Sequence, residues 1–227
     1  MSASAATNMS SSSGGGSPNY TYSLAFWKTV ATAAGDNTFQ ILPGNGFGIT
    51  TSDSPAGNNM QSQTPAGAMF CGARETGKAY TLDLLPQKAE NAVPVYWLPW
   101  KDKATTSVDR KDFEGSKCEF FMTPRLEGCR FVLTKDKILH VASNAGGAAE
   151  GSGGSATRDI AQSKETGGAP SRRLSISTSD INDEWAGYPY AYQACVFGIK
   201  FGATWKYKAL MKSKADDMGQ WTSYIDE

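Results

Sequence analysis

Cys129 and His140, the second being the chain's one histidine, fall on two runs of strand-forming residues, Cys129-Arg-Phe-Val-Leu133 and Ile138-Leu-His-Val-Ala142. A polar connection, Thr134-Lys135-Asp136-Lys137, joins them and predicts a β-hairpin. Side chains alternate with period two, so an even-numbered loop projects the thiol and the imidazole from one face. A loop of Thr134 and Lys135 alone sets them directly opposite, with Cβ atoms about 5 Å apart, and a turn centred one residue later makes them diagonal neighbours at roughly 7–8 Å. A three-residue loop would put them on opposite faces, and no Asn-Gly pair fixes the turn type. Chemistry needs such a pair because a free thiol with a pKa of about 8.5 is mostly protonated at neutral pH, and a nearby imidazolium stabilises the thiolate nucleophile. The bland alternative is a buried cysteine acting as a small hydrophobe beside a structural histidine.

The elements that would position this pair are mostly short strands. Residues 1–18 are Ser- and Gly-rich and read as a flexible tail, with no apolar pattern to offset the entropy of ordering. From Tyr22, Leu24, Phe26 or Trp27, Val30 and Ala31 recur at helical spacing, and Gly35-Asp36-Asn37 is a helix stop. Candidate strands follow at 38–42, 47–51, 68–73, 79–85, 93–98, 118–122, the hairpin pair, 174–177, 195–201 and 204–209. Residues 52–67 read as a surface loop. A second Gly/Ala/Ser-rich loop spans about 144–171, directly after the strand of His140, and reads as disorder or a gating loop. Ser179 or Asp180 could cap a short helix. The aromatic group Trp185, Tyr188, Tyr190 and Tyr192 suits either a core edge or a ligand platform. The expected fold class is α+β, a central β-sandwich flanked by a few helices, in one domain over 19–227.

Composition removes several functions. The chain has 227 residues with 22 basic and 22 acidic side chains, so its net charge near zero points to neither nucleic acid nor an anionic membrane as partner. No apolar run reaches the ~18–20 residues of a membrane span, and the Ser-rich start lacks the regions of a cleavable signal peptide. The four cysteines, Cys71, Cys118, Cys129 and Cys195, are irregularly spaced with one histidine to accompany them, which argues against a zinc site or a disulfide framework. No cofactor and no metal is expected.

Two pieces of sequence carry a resemblance. Trp97-Leu98-Pro99-Trp100-Lys101, and then Phe120, Phe121, Thr123, Leu126, Gly128 and Cys129 followed one hairpin later by His140, resemble the Burkholderia lethal factor-like glutamine deamidase toxins, whose catalytic fold is shared with the cytotoxic necrotizing factors. Glu127 stands where that pattern has Ser. The likeness is clearest from Val95 to Val141, with a weaker echo through Phe197 to Tyr224. It implies a β-sandwich of mixed sheets with outer helices, Cys129 as nucleophile, His140 as acid/base and Thr123 as the group that orients the imidazole. Backbone N–H groups around Gly128 and Cys129 are candidate oxyanion donors, and Gly128 allows close backbone approach or a positive φ. It also implies a secreted or translocated bacterial effector, acting as a monomer in a host cytosol on a host protein: a translation-initiation RNA helicase or a small GTPase.

Other readings compete with this one. The same dyad serves peptidases, acyltransferases and transglutaminases, and the acceptor decides the class. A non-catalytic β-sandwich module with an aromatic ligand platform is the alternative from another class.

Overall fold

The computed structural model describes residues 21–35, 49–51, 65–76, 79–85, 87–126, 128–146, 155–175, 191–213 and 219–221. In chain order these form α1 (Leu24–Gly35), β1 (Ile49–Thr51), β2 (Gly67–Thr76), β3 (Ala79–Leu85), β4 (Val93–Trp97), β5 (Thr105–Asp109), α2 (Arg110–Glu114), β6 (Phe120–Met122), β7 (Arg130–Thr134) and β8 (Lys137–Val141). Then come α3 (Ser155–Thr166), β9 (Ser171–Ser175), β10 (Ala191–Phe201), β11 (Thr204–Ser213) and β12 (Gly219–Trp221).

Strand alternation divides the apolar side chains between the two faces of an eight-stranded sheet, ordered β1-β3-β2-β4-β6-β10-β11-β12. On one face Val95, Trp97, Phe120, Met122, Cys195 and Phe197 pack beneath Phe26, Trp27 and Val30 of α1. On the other, Tyr96, Leu98, Phe121, Val196 and Tyr207 meet Phe131, Leu133, Ile138 and Leu174 of a four-stranded sheet ordered β5-β8-β7-β9. Phe131 is central there, with ring centroids 6.1 Å from Phe121 and 5.8 Å from Tyr207. Phe113 of α2 enters the same interior, 4.2 Å from Trp205. The outer face of the smaller sheet carries Val132, Leu139 and Val141, which pack with Ala161 of α3. The order of layers is therefore helix, large sheet, small sheet, helix: an α+β sandwich.

The larger sheet is mixed, with β1 parallel to β3 and β4 parallel to β6; the smaller is antiparallel throughout. Among the described residues, no helix is long and apolar enough to cross a membrane.

Several expectations need correction. The segment 144–171 is not one irregular loop, because α3 occupies Ser155–Thr166. Its inward stripe is Arg158, Ala161, Gln162 and Glu165, spaced i, i+3, i+4, i+7, and hydrophobic periodicity does not register a stripe that is mostly polar. Gly167 and Gly168 end it at φ 62 and 75, with Gly168 N–H returning to the Ser163 carbonyl at 3.3 Å, a Schellman-type stop. In α1 the buried face is Phe26, Trp27 and Val30, while Leu24 is exposed. Strand β5, helix α2 and strand β12 are additions to the expected elements: Thr105-Thr-Ser-Val-Asp109 alternates only weakly, and α2 and β12 are too short, at five and three residues, to show a periodicity. The expected strand at 38–42, residues 1–18, the cap at Ser179 or Asp180 and the aromatics from Trp185 to Tyr190 lie outside the described residues, as does most of the 52–67 loop.

Candidate active site

The hairpin register decides which of the two even-loop geometries holds. Phe131 pairs with His140 and Leu133 with Ile138, so Lys135 and Asp136 form a two-residue loop. By that register Cys129, one residue before β7, is a diagonal neighbour of His140 on the inter-sheet face, where it packs with Phe131 and Leu133. Thr134 fixes this turn: its Oγ1 accepts from the Lys137 N–H at 2.8 Å.

His140 is fully buried, and its ring is held from the large sheet. The parallel pairing of β4 with β6 places Trp97 beside Met122, and Leu98 N–H continues the ladder to the Met122 carbonyl at 2.9 Å. Thr123, the next residue after β6, then donates its hydroxyl proton to the Leu98 carbonyl at 2.9 Å. With that proton committed, Thr123 Oγ1 can only accept from His140, whose Nδ1 lies 2.6 Å away. The imidazole therefore carries its hydrogen on Nδ1 and a bare lone pair on Nε2, and Nε2 has no hydrogen-bond partner. Burial pushes the pKa of His140 down to about 3. The ring is neutral at physiological pH, so it acts as a proton acceptor and does not form a standing ion pair with a thiolate.

The Trp97-Leu98-Pro99-Trp100-Lys101 run thus does its work through carbonyls. Leu98 anchors Thr123, and the Pro99 carbonyl accepts from Thr106 Oγ1 on β5, opposite His140 in the register. Pro99 lies past the end of β4, which is a central strand of its sheet. Trp97 is buried against α1; Trp100 is half-buried between the inter-sheet core and the α3 layer. Beyond Trp100, Asn144 clasps the loop: its Oδ1 accepts from Lys103 N–H at 2.9 Å and its Nδ2 donates to Asp102 at 2.7 Å. That clasp holds Lys103 at φ 57, a left-handed conformation uncommon outside glycine.

The approach to Cys129 is anchored as well. Leu126 and Ala194 exchange backbone hydrogen bonds of 2.8 and 3.1 Å, and Gly128 adopts φ 76, where the chain needs a glycine. The Gly128 carbonyl accepts from Arg158 Nη1 of α3 at 2.6 Å. Glu127 lies outside the described residues. The thiol itself is recessed, at 6% exposure for Cys129. Of the other thiols, Cys71 is raised by burial and by Asp83, and Cys118 is raised chiefly by burial.

The structure therefore brings Thr123 and His140 into contact and puts Cys129 on their face of the sandwich. It adds Thr106, Asn144 and Arg158, which sequence reasoning did not single out, and it gives Leu98 of the Trp97–Lys101 run a role through its carbonyl. For Arg158 a signal existed in the polar i, i+3, i+4, i+7 stripe; for Thr106 and the Leu98 carbonyl none did, since both depend on register. Among known proteins, no family model matches the chain, and no curated protein matches it significantly.

Proposed function

We propose that the protein is a glutamine deamidase, an effector that hydrolyses a side-chain amide of a host protein through a Cys129 thioester. The observation that carries the reading is the relay from the Leu98 carbonyl through Thr123 Oγ1 to His140 Nδ1, which leaves an unprotonated Nε2 without a hydrogen-bond partner on the face of the hairpin that holds Cys129.

In this mechanism Nε2 takes the thiol proton as sulfur attacks the amide carbon of a glutamine. The tetrahedral oxyanion forms beside the Gly128–Cys129 backbone. The imidazolium then gives its proton to the departing nitrogen, which leaves as ammonia, and a thioester remains. Nε2 next deprotonates a water; the hydroxide adds to the thioester, the C–S bond breaks, and the sulfur recovers a proton from His140. Glutamate is the product, and the enzyme returns to its starting state. Thr123 holds the ring throughout, since Nδ1 never needs to move its hydrogen.

The recess of Cys129 supports a side-chain amide over a backbone one. Glutamine carries its amide on the end of a thin, flexible stem that can enter a narrow opening, whereas a peptide bond would need the main chain itself to enter. The resemblance of the Trp97–Lys101 run and of Leu126, Gly128 and Cys129 to deamidase toxins supports the same class, and with it a translation-initiation RNA helicase or a small GTPase as substrate in a host cytosol. Transglutaminase and peptidase outcomes use the same dyad, and product mass separates them.

Intact-protein and peptide mass spectrometry of an initiation helicase and of a Rho-family GTPase, each incubated with wild-type protein and with Cys129→Ala, tests the proposal. A single Gln-to-Glu mass change that requires Cys129 is the expected result. Peptide cleavage or amine incorporation instead would reassign the reaction, and an unchanged substrate together with an inert Cys129 would favour the non-catalytic module.

A further inference from the structure

Helix α3 brackets Cys129 from both sides in sequence. Arg158, in its first turn and 1% exposed, reaches the carbonyl of Gly128 at 2.6 Å. Arg130, with a fully buried side chain, reaches back to Asp159 at 2.7 Å and to Gln162 at 3.0 Å. Arg173 of β9 joins Asp159 at 2.9 Å. These two anchors differ in kind. The Arg130 contacts tie a side chain to the helix, and so dock α3 on the sheet. Arg158 grips the main chain, at the peptide unit whose nitrogen belongs to Cys129.

That peptide is one the chain would not hold unaided. Gly128 sits at φ 76, and glycine has more accessible backbone conformations than any other residue. A charge-assisted bond to its carbonyl selects one of them. It also fixes the direction in which the Cys129 Cα–Cβ bond leaves the backbone. The contact has an electrostatic side too. Summing the bonds from Gly128 O to the sulfur and adding the hydrogen bond gives at most about 10 Å between the guanidinium nitrogen and the thiol, no more than a Debye length at 0.1 M salt. Next to Arg158 in the helix, Asp159 is ion-paired with Arg130 on β7 and Arg173 on β9. Glu165, further along α3, is turned to Ser107 on β5 at 3.4 Å, and His140 on β8 is neutral. A guanidinium held within that distance of a thiol favours its thiolate form.

We propose that Arg158 is a positioning residue for Cys129, holding the Gly128–Cys129 peptide in its reactive orientation and placing a permanent positive charge beside the nucleophile. The inference rests on Cys129 being the nucleophile and adds to that reading a control point on a different layer of the fold.

Iodoacetamide alkylation of Cys129, followed by peptide mass spectrometry across pH, tests it on the whole chain without any substrate. Arg158→Gln should slow alkylation at neutral pH about tenfold and raise the midpoint of the pH profile by about one unit, the equivalent of a tenfold smaller thiolate fraction. Arg158→Lys keeps the charge and one donor, and should hold the wild-type midpoint while losing part of the rate. Arg173→Gln removes the same charge and loosens the same helix without touching Gly128, and should stay near wild type. A wild-type rate and midpoint in Arg158→Gln would overturn the proposal, as would an equal loss in Arg173→Gln, which would reduce the role to helix docking. Should Arg158→Gln not fold, Arg158→Lys decides: a midpoint raised by a full unit there overturns the proposal, and an unmoved one supports it. A wild-type Cys129 no faster than Cys118 would remove the nucleophile itself and this proposal with it; a fast wild-type Cys129 indifferent to Arg158 would remove the proposal alone.

Discussion

Thr123 Oγ1 stands 2.6 Å from His140 Nδ1, and its one proton is committed to the Leu98 carbonyl. A single hydroxyl therefore sets the tautomer of a buried ring. Thr123→Val keeps the shape and deletes the hydroxyl, leaving Nδ1–H and the Leu98 carbonyl unpaired at a cost of about 1–3 kcal/mol. It should also slow the His140-assisted alkylation of Cys129 by about 10²-fold, the low end of what a positioned base supplies. Thr123→Ser, which restores the hydroxyl, should recover most of both. Iodoacetamide kinetics and urea unfolding give the two readouts; an unchanged alkylation rate in Thr123→Val would show that the tautomer does not matter.

The depressed pKa of His140 makes folding sensitive to acid. An unfolded histidine titrates near 6.5, and in the native protein burial lowers the value to about 3. Between these values the unfolded chain binds the extra proton, so stability from this group is complete above the unfolded pKa and falls as pH drops through that window. Integrating the linkage relation from pH 7 to pH 5 gives a loss of about 2 kcal/mol. His140→Asn should flatten that part of the profile. Urea denaturation of both proteins at the two pH values measures it, and parallel slopes for both would mean that His140 is not buried in solution.

Much of this site was legible in one stretch of sequence, and the reason is local geometry. Strand alternation in a hairpin ties Cys129 to His140 without reference to the rest of the chain, and both even-loop registers put them on one face; only the turn at Lys135 and Asp136 chooses the diagonal one. Thr123 came from the resemblance, because a threonine after a strand has no signature of its own. Leu98 and Thr106 act by a carbonyl and by a cross-strand register, and these exist only once β4 lies beside β6 and β5 beside β8. The fold class followed from many short apolar runs and one amphipathic helix. Helix α3 was hidden because ion pairs carry much of its docking: Arg130 and Arg173 against Asp159 give it a polar inner face inside a Gly- and Ser-rich setting that reads as loop.

The thiols should separate by reactivity. Burial raises the pKa of Cys71 and of Cys118, which removes their thiolates at neutral pH. Cys129 has a neutral base on its own face and a chain held by Arg158. At pH 7 iodoacetamide should modify Cys129 before either of the other two, and His140→Asn should erase its lead. Modification of Cys118 ahead of Cys129 in the folded protein would argue against a nucleophile at this position.

Gly128 offers the sharpest test of how tightly the nucleophile is held. At φ 76 an L-residue places its Cβ against its own backbone, a strain of about 1–2 kcal/mol. The same Cβ would lie 3.3 Å from Cβ of Ser143, tighter than an ordinary contact. Gly128→Ala should therefore lower stability by about that amount or more. Its effect on Cys129 should be larger than its effect on folding, because the easiest relief is to rotate the peptide that Arg158 grips and carry the thiol away from His140. Ser143→Gly in the same background removes the contact and leaves the backbone strain. It should recover only part of the stability and little of the alkylation rate. Full recovery of both would mean that simple crowding, and not the left-handed backbone at Gly128, is what that position protects.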